Sequence, residues 1–222
     1  MTNWVRQNSP DKATMRHLPK HRFDPAKAHK LLDPRWRLID NPLELVRTMG
    51  IEEGMRVVDL GCGPGFFTRA LLEAVGSTGR VAAVELQDQV LEIFRDQIGN
   101  RPNLEIHQTD ILATGLGMGQ WDVAFVAFTL HEVDVKAALE EANRIIGEGG
   151  RLMVLEWGDH AVCPQRDDGQ TVGPPADHRL LNAVLAGYLS EAGFITESTG
   201  QNWGGCQYWV RAVRGMKSGR LG

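Results

Sequence analysis

Residues 57–68 read VVDLGCGPGFFT, and the fold turns on how this stretch is read. Four residues of strand character, Val57 to Leu60, run into glycines at the alternate positions 61, 63 and 65, and a helical pattern begins at Phe66. That order is a strand, a tight turn and a helix N-terminus. Glycine suits such a turn because it lets backbone approach a ligand closely and adopts positive φ without strain. A dinucleotide fingerprint would be G-x-G-x-x-G, but here the third glycine comes one residue early and Phe66 holds the last position. A nicotinamide cofactor is therefore disfavoured. Asp59, two residues before Gly61, puts a carboxylate at the strand end, where it suits a cationic group on a ligand and would repel a pyrophosphate.

Working outward, the pattern repeats. A short helical segment, PLELVRTMG from Pro42, has Gly50 as its C-cap and precedes a strand over 55–60. Helix follows over 65–76, strand over 80–86, helix over 87–99, strand over 103–110, strand over 121–128, helix from Val135 to Ile146 and strand over 151–157. Residues 80–86, RVAAVEL, are nearly all apolar, as in a parallel strand covered on both faces. Residues 158–176 carry Gly, Pro, Asp and Gln without a period, the mark of a functional loop. A helix from Ala176 to Glu191, with Leu181, Val184, Leu185 and Tyr188 as its stripe, and strands over 194–200 and 206–214 close the chain. The alternation implies an α/β fold with a mainly parallel sheet and right-handed crossovers.

With 222 residues, 42% hydrophobic and 23% charged, the chain suits one globular domain. No apolar run reaches the roughly 18 to 20 residues of a membrane span, and the start lacks a secretory h-region, so a cytoplasmic protein without a membrane partner is expected. Residues 1–40 hold nine Lys/Arg against four Asp, a net +5, while the remainder carries −9. This stretch is expected to be a basic arm or lid, 41–214 the domain and 215–222 a disordered tail. The arm has few aromatics interleaved, which disfavours nucleic acid as partner. Cys62, Cys163 and Cys206 form no C-x-x-C pair and are odd in number, so reduced thiols and no metal site are expected.

Ligands of an open parallel sheet lie outside the carboxyl ends of its strands. Acids stand at three consecutive such ends: Asp59, then Glu85 26 positions later, then Asp110 in QTDIL. These positions resemble those of the class I S-adenosylmethionine-dependent methyltransferases, which implies Glu85 at two ribose hydroxyls, Leu86 on an adenine face, Asp110 at the adenine amino group and the Ile111 backbone at the ring edge. The D-x-G-x-G-x-G of Asp59, Gly61, Gly63 and Gly65, which encloses Cys62, resembles motif I of the class I S-adenosylmethionine-dependent methyltransferases. Glu85 and Asp110 are similar to the acids of the motifs that follow. The resemblance implies S-adenosyl-L-methionine as cofactor, a Rossmann-like seven-stranded sheet of order 3-2-1-4-5-7-6 with the seventh strand antiparallel, and Ala127, Phe128 and Thr129 beside the methionine portion. It covers about residues 41–214.

The segment HEV at 131–133, then Leu139, Glu141, Arg144 and Gly149-Gly150, then Glu156-Trp157 and Gly173-Pro174-Pro175, resemble the ubiquinone/menaquinone-biosynthesis-like branch. The function implied is methyl transfer to a small-molecule acceptor by in-line displacement. A thioether leaving group needs no acid, so a base matters only where the acceptor must lose a proton. His131, with an ordinary pKa near neutrality, is the candidate for that role. Trp36, Trp157 and Trp203 are candidate acceptor walls. A non-catalytic cofactor-binding module and an RNA methyltransferase using the basic arm are the alternative readings, and a homodimer is compatible with the chain.

Overall fold

A computed structural model of the protein describes residues 23–215; the first 22 residues of the basic arm, and residues 216–222 of the expected tail, lie outside the described residues. A 3-10 helix at Pro25–Leu32 leads to α1 (Pro34–Arg37) and α2 (Pro42–Met49). Then come β1 (Arg56–Leu60), α3 (Phe66–Val75), β2 (Arg80–Glu85), α4 (Asp88–Ile98), β3 (Leu104–Gln108), β4 (Trp121–Ala127), α5 (Val135–Ile145), β5 (Ile146–Trp157), α6 (Asn182–Glu191), β6 (Phe194–Asn202) and β7 (Gln207–Arg214). The strands form one sheet of order β3-β2-β1-β4-β5-β7-β6. All pairings are parallel except those of β7, which runs antiparallel to both β5 and β6. The expected seven-stranded topology is the observed one.

Alternation along the strands divides the core. Val58, Leu60, Ala82, Val84, Val126 and Val154 face α5 and α6 in one cluster. Val57, Val81, Phe125 and Met153 face α2 and α3 in another. Ala83 packs against Leu91 and Phe94 of α4. β2, covered on both faces, is therefore apolar at its inner positions, and Val81 to Val84 are all fully buried. At about 1.5 to 3 kcal/mol per large buried side chain, these two faces supply the dominant stabilisation of the sheet.

Helix ends follow local chemistry. Asn41 caps α2 by accepting the Glu44 N–H at 3.0 Å, and Pro42 holds the first helical position, where its missing N–H costs nothing. Gly50 ends the helix at φ 104°, as expected.

Three readings differ from the structure. The helix expected from Ala176 is a 3-10 turn, Ala176–His178, a break, and then α6, because Leu180 is drawn into the core and Tyr208 donates its hydroxyl to the Leu180 carbonyl at 2.6 Å. On α6 Leu185 and Leu189 are buried and Val184 and Tyr188, as expected, pack half-buried against the same core, while Leu181 is exposed. The strand expected over 151–157 begins already at Ile146, taking Gly147 to Gly150 into β5, with a bulge opposite Trp121 to Val123. Cys163 and Cys206, expected as reduced thiols, form a disulfide between the loop after β5 and the start of β7. Their 43-residue separation hid a pairing that the antiparallel return of β7 creates. Cys62 is free and buried.

Candidate functional site

A cavity of about 690 Å³ opens at the carboxyl ends of the first five strands. Each strand delivers a residue to it: Gly61 after β1, Glu85 at the end of β2, Asp110 after β3, Ala127 at the end of β4 and Trp157 at the end of β5. Of the residues singled out in the sequence, Gly61, Gly63, Glu85, Leu86, Asp110, Ile111, Ala127 and His131 line this one space. Asp59, Cys62 and Gly65 stand behind the lining. Cys62 packs with Leu91 and Phe94. Gly65 caps α3, where a Cβ would meet Ile98 at 2.7 Å.

The glycine turn is built by contacts as well as by backbone angles. Gly61 has φ 76°, and a Cβ there would fall 2.6 Å from Thr129, so the turn and the β4 exit loop close on each other only across a glycine. Gly63 differs, because its Cβ direction meets nothing within 4 Å. Space is thus left over the turn for a ligand. The Glu85 carboxylate ties the floor together, accepting the N–H of Gly63 at 3.1 Å and those of Leu86 and Gln87 at 2.9 Å each. Asp110 accepts the Leu112 N–H at 3.0 Å, an Asx turn that holds Ile111 at the rim.

Asp59 is buried, and its carboxylate accepts the Thr68 hydroxyl at 2.6 Å. Burial pushes its pKa up to about 7, against the opposing pull of Thr68 and of the Arg37 charge. Thr68 therefore serves Asp59.

At the other end of the cavity His131 is buried, with Nδ1 2.9 Å and 3.1 Å from the two carboxylate oxygens of Glu156. Glu156 is fully buried and also accepts the backbone N–H groups of His131 at 3.3 Å and Trp157 at 3.1 Å. Burial alone would lower the histidine pKa, but the charges of Glu156 and Glu132 more than offset this and raise it. The imidazole is fixed with Nδ1 on Glu156 and Nε2 3.6 Å from Glu132. Beside it the rings of Phe128 and Trp157 lie 4.7 Å apart, centroid to centroid, and both line the cavity. Phe128 holds φ 54°, an unusual conformation for a bulky residue. Trp203 lies away from this wall and donates its indole N–H to the Leu38 carbonyl at 2.8 Å. The Trp36 side chain lies outside the description.

Sequence reasoning missed two arginines. Arg37, counted in the basic arm, is buried and lines the cavity, stacked 5.3 to 5.6 Å from the rings of Phe66, Phe67 and Phe128. Arg179 is buried behind Trp157 and donates to the carbonyls of Gly158, Val172 and Pro174, which shapes the loop after β5. The segment 23–40, expected as part of an arm or lid, crosses the mouth of the cavity. Phe23 gives its N–H to Glu132 at 3.0 Å and receives the Gln87 side-chain amide at 3.2 Å. Among the described residues, no helix is long and apolar enough to cross a membrane.

Comparison with known proteins agrees with this geometry. Residues 58–154 match the family model described as a methyltransferase domain. A demethylmenaquinone methyltransferase of Staphylococcus aureus (strain MRSA252) is 32% identical over 113 residues, 50% of this chain and 47% of the relative. The chain thus spans about half the length of the curated relatives it matches. A SAM-dependent methyltransferase from Aquifex aeolicus superposes with a TM-score of 0.75 at 27% identity, over 87% of this chain and 100% of the other. One from Mesorhizobium loti, at 19% identity and a TM-score of 0.62 over 77% and 96%, shares the fold.

A sheet of this order with a glycine turn and acids at its strand ends is the architecture this chain shares with these S-adenosylmethionine-dependent methyltransferases, and residues 58–154 are similar to a methyltransferase domain. The solved relatives are named for their dependence on S-adenosylmethionine. The open space over Gly63 and the carboxylate of Glu85 at the cavity floor fit the adenosine part of that molecule.

Proposed function

We propose that the chain moves a methyl group from S-adenosylmethionine to a small-molecule acceptor with a flat, apolar body. The observation that carries this reading is the single cavity shared by the strand-end residues and the Phe128–Trp157–His131 wall, which gives room for cofactor and acceptor side by side. Glu85 takes the ribose hydroxyls, Leu86 stacks on the adenine, and Asp110 with the Ile111 backbone reads the ring edge. Asp59 balances the ammonium of the methionine end, and Ala127 lies against the methionine chain. Gly61, Cys62, Gly63 and Gly65 form the turn beneath.

When bound, S-adenosylmethionine supplies an electrophilic methyl group on a sulfonium. The protein's part is to align the acceptor, to exclude water and to handle a proton. Phe128 and Trp157 align a flat ring by stacking. His131 takes the acceptor's proton at Nε2 while Glu156 stabilises the resulting imidazolium through Nδ1. The relative named for demethylmenaquinone supports a ring-shaped acceptor.

Isothermal titration tests the cofactor half. Wild type should bind both S-adenosylmethionine and S-adenosylhomocysteine, and Asp59→Ala and Glu85→Ala should each weaken binding about tenfold or more. Unchanged affinity in both variants would sink the assignment. Turnover over a panel of hydroxylated aromatic acceptors tests the other half, since a module that only binds the cofactor releases no S-adenosylhomocysteine.

A further inference from the structure

Arg37 is 7% exposed, so its guanidinium sits almost wholly out of water, and burial lowers its pKa to about 10. A cation in that position needs anionic partners, or its burial is expensive. The protein supplies little. Nε donates to the Leu31 carbonyl at 3.0 Å, and among the described residues no carboxylate comes within ion-pair distance, 4.0 Å, of the group and no hydrogen bond engages its two terminal nitrogens. Three phenylalanine rings surround the guanidinium, which offsets part of the cost but satisfies no N–H. The side chain lines the cavity beside Gly61 and Gly63.

The position is also held firmly. Gln207 donates its side-chain amide to the Arg37 carbonyl, and Trp203 bonds the carbonyl of the next residue, so α1 is pinned to the start of β7. The acids whose charges Arg37 feels are Asp59 and Glu132. Asp59, the closer in effect, is equally buried and bonded to Thr68 through one oxygen. A buried anion and a buried cation thus face the glycine turn without pairing. A zwitterion carrying an ammonium and a carboxylate on one carbon would offset both charges.

Resting on the S-adenosylmethionine reading above, we infer that Arg37 is the anchor for the carboxylate of the cofactor's amino-acid end, the counterpart of Asp59 at its ammonium. The planar fork of a guanidinium matches a carboxylate with two parallel hydrogen bonds, and the surrounding rings hold that fork in one plane. The pair makes the cavity selective for ligands that keep the amino-acid end over those cut back to the nucleoside.

Titration calorimetry on the full chain tests this with two probes, S-adenosylhomocysteine and 5′-methylthioadenosine, which keeps the adenosine and loses the amino acid. Arg37→Met should lose about tenfold or more in affinity for the first and stay within about twofold for the second. Arg37→Lys, which keeps the charge without the fork, should fall between and serves if the methionine variant does not fold. A parallel loss for both probes, or unchanged affinity for S-adenosylhomocysteine, overturns the inference; the latter would leave Arg37 for an acidic acceptor. Failure of wild type to bind S-adenosylhomocysteine would instead overturn the cofactor reading itself.

Discussion

His131 Nδ1 lies 2.9 Å from a carboxylate oxygen of Glu156, a glutamate with no exposed surface. The backbone N–H groups of His131 and Trp157 complete the shell of that carboxylate, so the imidazolium is the form the site stabilises. Against the lowering effect of burial, the Glu156 and Glu132 charges raise the His131 pKa above the usual histidine value. A group raised on folding contributes stability that is full below its unfolded value, near 6.5, and is lost as pH climbs through the folded value. The thermal midpoint should therefore fall on the alkaline side of neutrality. Glu156→Gln should flatten that limb, cost about 1 to 3 kcal/mol in urea denaturation, and bring the His131 titration seen by ¹⁵N NMR down. An unmoved His131 titration in the glutamine variant would refute the coupling.

The carboxyl of Asp59 titrates near 7 in the folded chain, chiefly through burial. Its unfolded value is near 3.9, so the folded protein holds this proton more tightly. The associated stability is complete below about pH 4 and is lost as pH rises to about 7. Asp59→Asn should remove this lower limb and raise the melting point of the unliganded protein at pH 8 by a few degrees. The same variant should bind S-adenosylhomocysteine more weakly, which would mark Asp59 as a residue kept for binding at the expense of stability. A melting point at pH 8 equal to or below that of wild type would contradict the burial argument.

How far the sequence could be read depends on where each residue's partners lie. The strand, turn and helix from Val57 were legible because their cause is local: β propensity, then glycines, then a helical period. Glu85 and Asp110 were legible because a parallel sheet puts all its strand ends on one side. Arg37 and Arg179 were not, since their partners are rings and carbonyls brought together by tertiary packing, with no fixed spacing to betray them. Glu156 was singled out at the end of its strand, but its bond to His131 was not legible, since it spans two neighbouring strand ends and 25 residues of sequence. Cysteine counting failed because an odd total concealed one pair and one buried thiol.

The Cys163–Cys206 bridge ties the loop after β5 to β7, next to the buried Trp157 and Val172. Denatured without reductant, the protein should alkylate at Cys62 alone, and after reduction at all three cysteines. Cys206→Ser should lower stability by about 2 to 4 kcal/mol, in line with closing a loop of this length. It should also increase hydrogen exchange over residues 158–178, which depend on the bridge and on Arg179 for their shape. Three alkylated cysteines before reduction would refute the pairing.

Gly61 and Gly63 make a paired test of the turn. Both have positive φ, 76° and 55°, so alanine at either position is strained. They differ in what the new methyl group meets. At Gly61 it lands 2.6 Å from the Thr129 methyl, in the loop that positions Phe128 and His131, so Gly61→Ala should cost about 1 to 3 kcal/mol and disturb both halves of the cavity. Thr129→Gly in the same chain should recover part of that loss by removing the clash. At Gly63 the methyl group meets no protein atom within 4 Å and projects into the space over the turn. Gly63→Ala should therefore cost less stability than Gly61→Ala, about 1 kcal/mol from strain alone, yet weaken S-adenosylhomocysteine by about tenfold. Urea denaturation and calorimetry on the three variants separate the two effects. Full cofactor affinity in Gly63→Ala would show that the ligand does not lie over this glycine.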